Sequence, residues 1–182
     1  VRIFGIDPGS ERTGYGCVET DGSRHRVIVS GAISNAPSAP FPEKLLHIHT
    51  GLAALLADYR PDAVAIENLF HAANARSALK LGHARGVAML AAVEAGLSVA
   101  EYTPAEIKRA VVGYGRAEKH QVQQMVKLLL GLGTLPSPYD AADALAVALC
   151  HSQSLAFAAR VPARAGRSKA ATSWRHYRPS RS

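Results

Sequence analysis

Four carboxylates stand out by type and position. Asp7 ends the apolar run Val1-Arg2-Ile3-Phe4-Gly5-Ile6, and Glu67 ends Ala63-Val64-Ala65-Ile66. Asp140 and Asp143 open a long run of Ala, Leu and Val. A carboxylate beside an apolar core is costly unless a cation compensates it. Asp140 and Asp143 are three residues apart, so on a helix they share a face. Carboxylate oxygens with no His or Cys among them suit hard, octahedral ions such as Mg²⁺ or Mn²⁺. Two such ions about 3.5–4 Å apart can clamp an in-line displacement at phosphate, one activating the water and the other stabilising the leaving oxygen. Each acid also has a plainer reading. Asp7 could start an Asp-Pro-Gly turn, and Glu67 could be an exposed strand end. Asp140 could be a helix N-cap, with Asp143 adding favourable charge to the first turn. The joint reading is favoured because the helix that Asp140 and Asp143 open should be buried, and so aims two carboxylates at something.

The elements that must position these acids read as strands first, then strands alternating with helices. Residues 1–6, 13–19 and 26–33 are strand-like, the last two flanking a hairpin turn at Asp21-Gly22-Ser23. A helix is expected over 43–58, a short buried strand over 63–66, a long helix over 74–95 and a strand over 97–102. Thr103-Pro104-Ala105-Glu106 has the pattern of a capping box with Pro at the first helical position. Helices follow over about 104–111, 117–130 and 140–157. This order predicts an α/β fold, a mixed sheet with helices on its faces. Ligands in such sheets collect outside the carboxyl ends of the strands, where Asp7 and Glu67 both lie. Gly82 and Gly86 leave a flat patch on the long helix. Packing on the sheet is the default reading of that patch, and a subunit interface the sharper one.

Composition bounds the alternatives. The chain has 182 residues, enough for one domain with a real core, and is 48% hydrophobic. No apolar run reaches the roughly 18 residues of a membrane span, so no membrane is expected. The strand-like start predicts no signal peptide. Cys17 and Cys150 sit in apolar contexts and read as free thiols in a reducing compartment. The net charge of +7 is unevenly placed: seven of the 21 basic residues lie from Arg160 onward, where there is no Asp or Glu, leaving 14 against 14 in the rest. The expected division is a domain over 1–159 and a basic, disordered tail over 160–182, suited to a polyanion or to solubility alone.

Several blocks, in order, resemble the RuvC-type Holliday junction resolvases (crossover junction endodeoxyribonucleases). They are Phe4-Gly5-Ile6-Asp7-Pro8-Gly9 with Arg12-Thr13-Gly14-Tyr15-Gly16; Ala65-Ile66-Glu67-Asn68-Leu69-Phe70; Asn74 to Gly82; Ala84-Arg85-Gly86-Val87-Ala88; Val111-Val112-Gly113 running on to Ala117-Glu118-Lys119; and Asp140-Ala141-Ala142-Asp143-Ala144-Leu145-Ala146. The resemblance spans about residues 2–151 and does not reach the tail. It implies an RNase H-like fold, a mixed five-stranded sheet with helices on both faces. It implies a cytoplasmic, Mg²⁺-dependent endonuclease (Mn²⁺ as an alternative, two ions per site) that nicks two strands of like polarity in a four-way DNA junction. Asp7, Glu67, Asp140 and Asp143 match its acidic metal-binding quartet. A homodimer through the helix 74–95 and a branch-migration complex of the RuvA and RuvB type are implied by the family alone.

Candidates for holding DNA follow. Phe70, past Glu67, reads as a core anchor by itself and as a base-stacking residue by resemblance; such stacking is worth about 1–3 kcal/mol. Arg76, Lys80 and Arg85 lie on the long helix. Lys108, Arg109, Arg116 and Lys119 form a second basic stretch around Tyr114. Phosphate contacts from such residues orient DNA without reading its sequence; residues matching Lys108 and Lys119 lie near the family's active site. His71 and His120 are within sequence reach but are not expected as ligands. Two other classes compete: a non-catalytic junction-binding module, and an actin-like phosphotransferase suggested by Gly5-Ile6-Asp7-Pro8-Gly9-Ser10. The complete quartet argues against the first. The lack of a second Gly-rich phosphate segment argues against the second.

Overall fold

The computed structural model describes residues 1–21, 23–68 and 74–160. Phe70, His71, Gly22 and the tail from 161 onward lie outside them. The elements run β1 (Arg2–Asp7), β2 (Arg12–Thr20), β3 (His25–Ser34), α1 (Phe41–Tyr59), β4 (Ala63–Glu67), α2 (Ala75–Glu94), β5 (Val99–Tyr102), α3 (Pro104–Val112), α4 (Lys119–Leu129) and α5 (Tyr139–Arg160). The five strands form one sheet in the order β3-β2-β1-β4-β5. β1–β2 and β2–β3 are antiparallel, whereas β1–β4 and β4–β5 are parallel. The mixed sheet predicted from the sequence is therefore present, with an apolar cluster on each face.

Side-chain alternation divides the two faces. Phe4, Ile6, Val64 and Ile66 point to the side covered by α1 and α2, where they meet Ile48, Leu52, Ala84 and Ala88. Ile3, Val18 and Ala65 point to the side of α3, α4 and α5, meeting Ile107, Val122, Leu145 and Leu149. α5 is the central helix of that second layer, and every residue from Ala144 to Cys150 is buried. By length and composition its Tyr139–Ala159 stretch passes for a membrane span, yet most of it is buried inside the protein. This corrects the expectation that no segment is apolar enough. The helix is apolar all round because the sheet covers one side and α3 and α4 cover the other.

The approach of α5 to the sheet is set by glycines on β1 and β2. A Cβ at Gly5 would lie 2.1 Å from the Ala144 carbonyl oxygen, and one at Gly14 would lie 2.1 Å from that of Asp140. Only glycine lets the helix backbone lie directly on the strands there, and that contact holds the first turns of α5 over the end of β1.

The buried face of α2, packed among α1 and the sheet, is Ala84, Ala88, Ala91 and Ala92. Gly82 and Gly86 point away from it, with open space around both. The default reading of that pair as a sheet contact is corrected: small residues do dock this helix, but they are the alanines a step around it.

Candidate active site

β1 and β4 run parallel with Ile6 beside Ile66. One step further along each strand, Asp7 and Glu67 come side by side on the α5 face. Their carboxyl groups come close enough for each to act on the other's proton. Burial pushes the Asp7 carboxyl up to about 9, and the charges of Glu67, Asp143 and Asp140 add to the rise. Burial also raises Glu67, while the hydrogen bond from Asp7 and the ammonium groups of Lys119 and Lys108 work against it. The pair thus shares one proton, carried by Asp7, because two buried like charges in contact do not both ionise.

α5 supplies the other two acids. Tyr139 opens the helix, so Asp140 lies in its first turn rather than capping it. Asp143 follows on the same face and accepts a 2.6 Å hydrogen bond from Lys119 Nζ. Lys119 owes its place to the start of α4, where the Gln121 side chain accepts from the Glu118 amide at 2.8 Å and fixes the first turn. Burial pulls the Lys119 ammonium down, but the hydrogen bond to Asp143 and the charges of Asp143, Asp7 and Asp140 outweigh it and hold it above its ordinary value. Asp140 Oδ2 accepts from Arg12 Nη1 at 3.3 Å.

A cleft of about 310 Å³ contains Asp7, Glu67 and Asp143 together with Lys108 and Lys119, over apolar walls from Ile107, Val122 and Ala146. Asp140 stands at its margin, within electrostatic reach of Asp7. α3 carries Lys108 and Ile107 into the cleft, and its start is fixed as the sequence predicted. Thr103 donates its amide to Glu106 Oε2 at 2.8 Å, and Glu106 donates its amide to Thr103 Oγ1 at 3.3 Å. The loop after Asp7 is clamped from α1 by buried Lys44, whose Nζ donates to Glu11 Oε2 at 2.6 Å and to the Pro37 carbonyl at 3.1 Å. Thr13 Oγ1 donates to the Gly9 carbonyl at 2.8 Å and tightens the same turn.

The remaining basic residues divide. Arg76 and Arg116 are exposed and do not line the cleft. Lys80 Nζ sits 5.8 Å from the centre of the Phe41 ring, a cation–π contact away from the acids. Arg85 is paired with Glu101, and Arg109 lines a separate groove with Tyr102, Glu106 and Phe157. His120 pairs with Glu118 at 3.3 Å on the surface. Burial pushes the Cys17 and Cys150 thiols up to about 11 and about 12, so neither is a ready nucleophile. Sequence reasoning missed the Arg12 contact to Asp140, which joins residues 128 positions apart and leaves no local signal.

The site can gather cations and phosphate. Its donors are carboxylate oxygens alone, which suits hard divalent ions. Among the described residues no three acids already stand close enough to grip one ion. The acids are instead engaged with Lys119, with Arg12 and with each other. A divalent cation would exchange for those partners and for the proton on Asp7, so the set fits such an ion.

Comparison with known proteins shows the family of the chain. Residues 3–151 match the family described as crossover junction endodeoxyribonuclease RuvC. The protein of that name from Trichlorobacter lovleyi is 50% identical over 179 residues, covering 98% of this chain and all of that relative. The one from Syntrophotalea carbinolica is 57% identical over 152 residues, covering 84% of this chain and 94% of the relative. Among solved structures, Thermus thermophilus RuvC in complex with Holliday junction substrate is 37% identical with a TM-score of 0.82, covering 86% of this chain and 96% of that one. The yeast mitochondrial Holliday junction resolvase Ydc2 is 13% identical with a TM-score of 0.62 over 87% of this chain and 81% of its own, a likeness of fold.

Proposed function

The chain belongs to the RuvC family of crossover junction endodeoxyribonucleases, and from that premise we propose that Asp7, Glu67, Asp140 and Asp143 are the residues with which it cuts. The protein is a divalent-metal nuclease that resolves four-way DNA junctions by paired nicks in two strands of like polarity. The observation that carries the assignment of the site is the convergence of Asp7, Glu67 and Asp143 with Lys108 and Lys119 in one cleft, with Asp140 in electrostatic reach of Asp7.

Mg²⁺ is the preferred ion on this reading, with two per site and Mn²⁺ as a substitute. Bound there, the ions supply an activated water and a counter-charge for the leaving oxygen. The chain's own groups do the rest. Asp7 and Glu67 would hold such an ion as carboxylates, which requires loss of the proton that burial favours on Asp7. Asp143 and Asp140, held here by Lys119 and Arg12, would complete the donor set for such ions. Lys119 and Lys108 line the same cleft and would hold the non-bridging oxygens of the scissile phosphate. The apolar walls strengthen each of these interactions by keeping the local dielectric low. Phe70, together with Arg76, Lys80 and Arg116, the last three lying outside the cleft, is assigned to the junction arms and centre rather than to chemistry.

A two-fold substrate calls for a two-fold enzyme. The outer face of α2 fits the subunit contact. Leu79, Leu90 and Val93 are exposed there, beside the open Gly82 and Gly86. Leu79→Glu is expected to convert a dimer into a monomer in sedimentation and to abolish paired nicking; an unchanged dimer would move the contact elsewhere. Residues 1–159 form the catalytic domain on this reading, and 160–182 a basic tail for a polyanion. A branch-migration complex of the RuvA and RuvB type would deliver the junction, in the cytoplasm, where both thiols stay reduced.

The deciding test is strand mapping on a mobile and a fixed four-way junction across Mg²⁺, Mn²⁺ and Ca²⁺. Paired nicks at symmetric positions are expected with Mg²⁺ or Mn²⁺. Binding without nicking in every metal would favour a non-catalytic junction-binding module instead.

A further inference from the structure

On the face of the sheet opposite the acids, a polar chain runs from α2 to the residue after Glu67. β5 pairs with β4 so that Glu101 lies beside Ile66 and Tyr102 beside Glu67. Glu101 therefore points to the α2 side while Glu67 points to the cleft. One carboxylate oxygen of Glu101, Oε2, accepts from Asn68 Nδ2 at 3.1 Å and from Arg85 Nη2 at 2.5 Å. The Asn68 amide also donates to the Tyr102 carbonyl at 2.7 Å, extending the β4–β5 ladder by one residue. Asn68 is thus held by both its backbone and its side chain. Glu67 sits between that anchor and the paired Ile66, with its backbone direction fixed on both sides.

We propose that Glu101 is a positioning residue: by tying Asn68 to Arg85 it sets the aim of Glu67. The proposal rests on the reading of Glu67 as a site acid. Two atoms in the chain argue for a role beyond stability. Asn68 Oδ1 and Arg85 Nε are buried with no hydrogen-bond partner among the described residues, which costs stability rather than adding it. A part-exposed ion pair such as Arg85–Glu101 returns little in exchange. What the arrangement does provide is a rigid tie between the helix whose outer face is assigned to the subunit contact and the strand end that carries Glu67. Groups that orient a metal-binding side chain from behind typically matter about 10–100-fold in activity or metal affinity.

The test compares Glu101→Ala, Glu101→Gln, Asn68→Ala and the double Glu101→Ala/Asn68→Ala variant on a synthetic four-way junction. Single-turnover nicking in saturating Mg²⁺ should fall about 10–100-fold in both alanine variants, with a higher half-saturating Mg²⁺ concentration. Junction affinity in Ca²⁺ should stay within about twofold, because no phosphate contact is removed. Glu101→Gln keeps an oxygen that can accept from both donors and should return to within about fivefold of wild type. The double variant should be no worse than the poorer single one, as expected of one connected unit. Amide exchange at residues 66–68 should quicken in Glu101→Ala while α5 stays protected. Wild-type nicking by Glu101→Ala, a loss that follows junction affinity instead of turnover, or a Glu101→Gln variant as poor as the alanine would each overturn the proposal. Should the wild type itself fail to nick in any metal, the functional reading falls; exchange at 66–68 then decides the positioning role alone, and unchanged exchange would overturn it.

Discussion

Asp7→Asn is expected to abolish nicking of a four-way junction and, in EDTA at pH 8, to make the protein more stable than the wild type. The first effect follows from losing the metal ligand proposed at the centre of the acidic cluster. Several kcal/mol of charge stabilisation go with it, and at about 1.4 kcal/mol per tenfold the rate should drop at least about a thousandfold. Junction binding in Ca²⁺, measured by gel shift, should persist, since the groups assigned to DNA are untouched. The second effect follows from the proton on Asp7. In the unfolded chain this acid ionises near 3.8, but in the fold only at about 9. Between those values folding takes up a proton, so wild-type stability is complete below about pH 4 and declines as pH rises toward 9. Asn does not titrate and can still donate to Glu67, so the variant escapes that decline. A single pKa unit is worth about 1.4 kcal/mol, enough to move Tm by about 3–6 °C in a domain of this size. The advantage should vanish near pH 4 and grow toward pH 8. Undiminished nicking would remove Asp7 from the site, and a variant less stable than wild type at pH 8 would remove the shared proton.

The pairing of lost activity with gained stability is the mark of a site whose like charges are held together by the fold rather than by each other. It also explains which parts of this protein were legible in the sequence. Asp7 and Glu67 could be read because each interrupts an apolar strand, and the α/β order placed both strand ends on one edge. The capping box at Thr103 could be read because it is local. The alanines that dock α2 could not be told from its glycines, since both are small and recur at helical spacing. Only the packed helix shows that Gly82 and Gly86 face outward. The Arg12–Asp140 and Lys119–Asp143 pairs span 128 and 24 residues, and nothing within a strand or helix announces such a partner. Arg85 read as a candidate for DNA because basic residues cluster near it in sequence, whereas the fold gives it to Glu101.

The least legible determinant is Gly5, and a single methyl added there should be among the most damaging in the described residues. In the sequence it is one small residue in an apolar strand. In the fold its Cα faces the backbone of α5, and a Cβ there would lie 2.1 Å from the Ala144 carbonyl oxygen and 2.8 Å from the Ala148 nitrogen. Neither atom can rotate away, so Gly5→Ala must push the helix off the sheet by about an ångström or more to reach ordinary contact distance. Overpacking a core typically costs about 1–3 kcal/mol, and a clash with helix backbone belongs at or above the upper end. At about 3 kcal/mol the expected fall in Tm is about 6–12 °C. The same displacement carries Asp140 and Asp143 away from Asp7 and Glu67, which stay on the strands. A misplacement of about 1 Å in a catalytic constellation can cost about a hundredfold in rate, so nicking should fall by that order even at temperatures where the variant is fully folded. Gly133→Ala is the matched control, because its Cβ would meet nothing within 4 Å; it should leave both Tm and nicking unchanged. A Gly5→Ala protein with wild-type Tm and rate would mean that the helix does not rest on β1 at this distance, and that something other than the glycine-lined contact brings the four acids together.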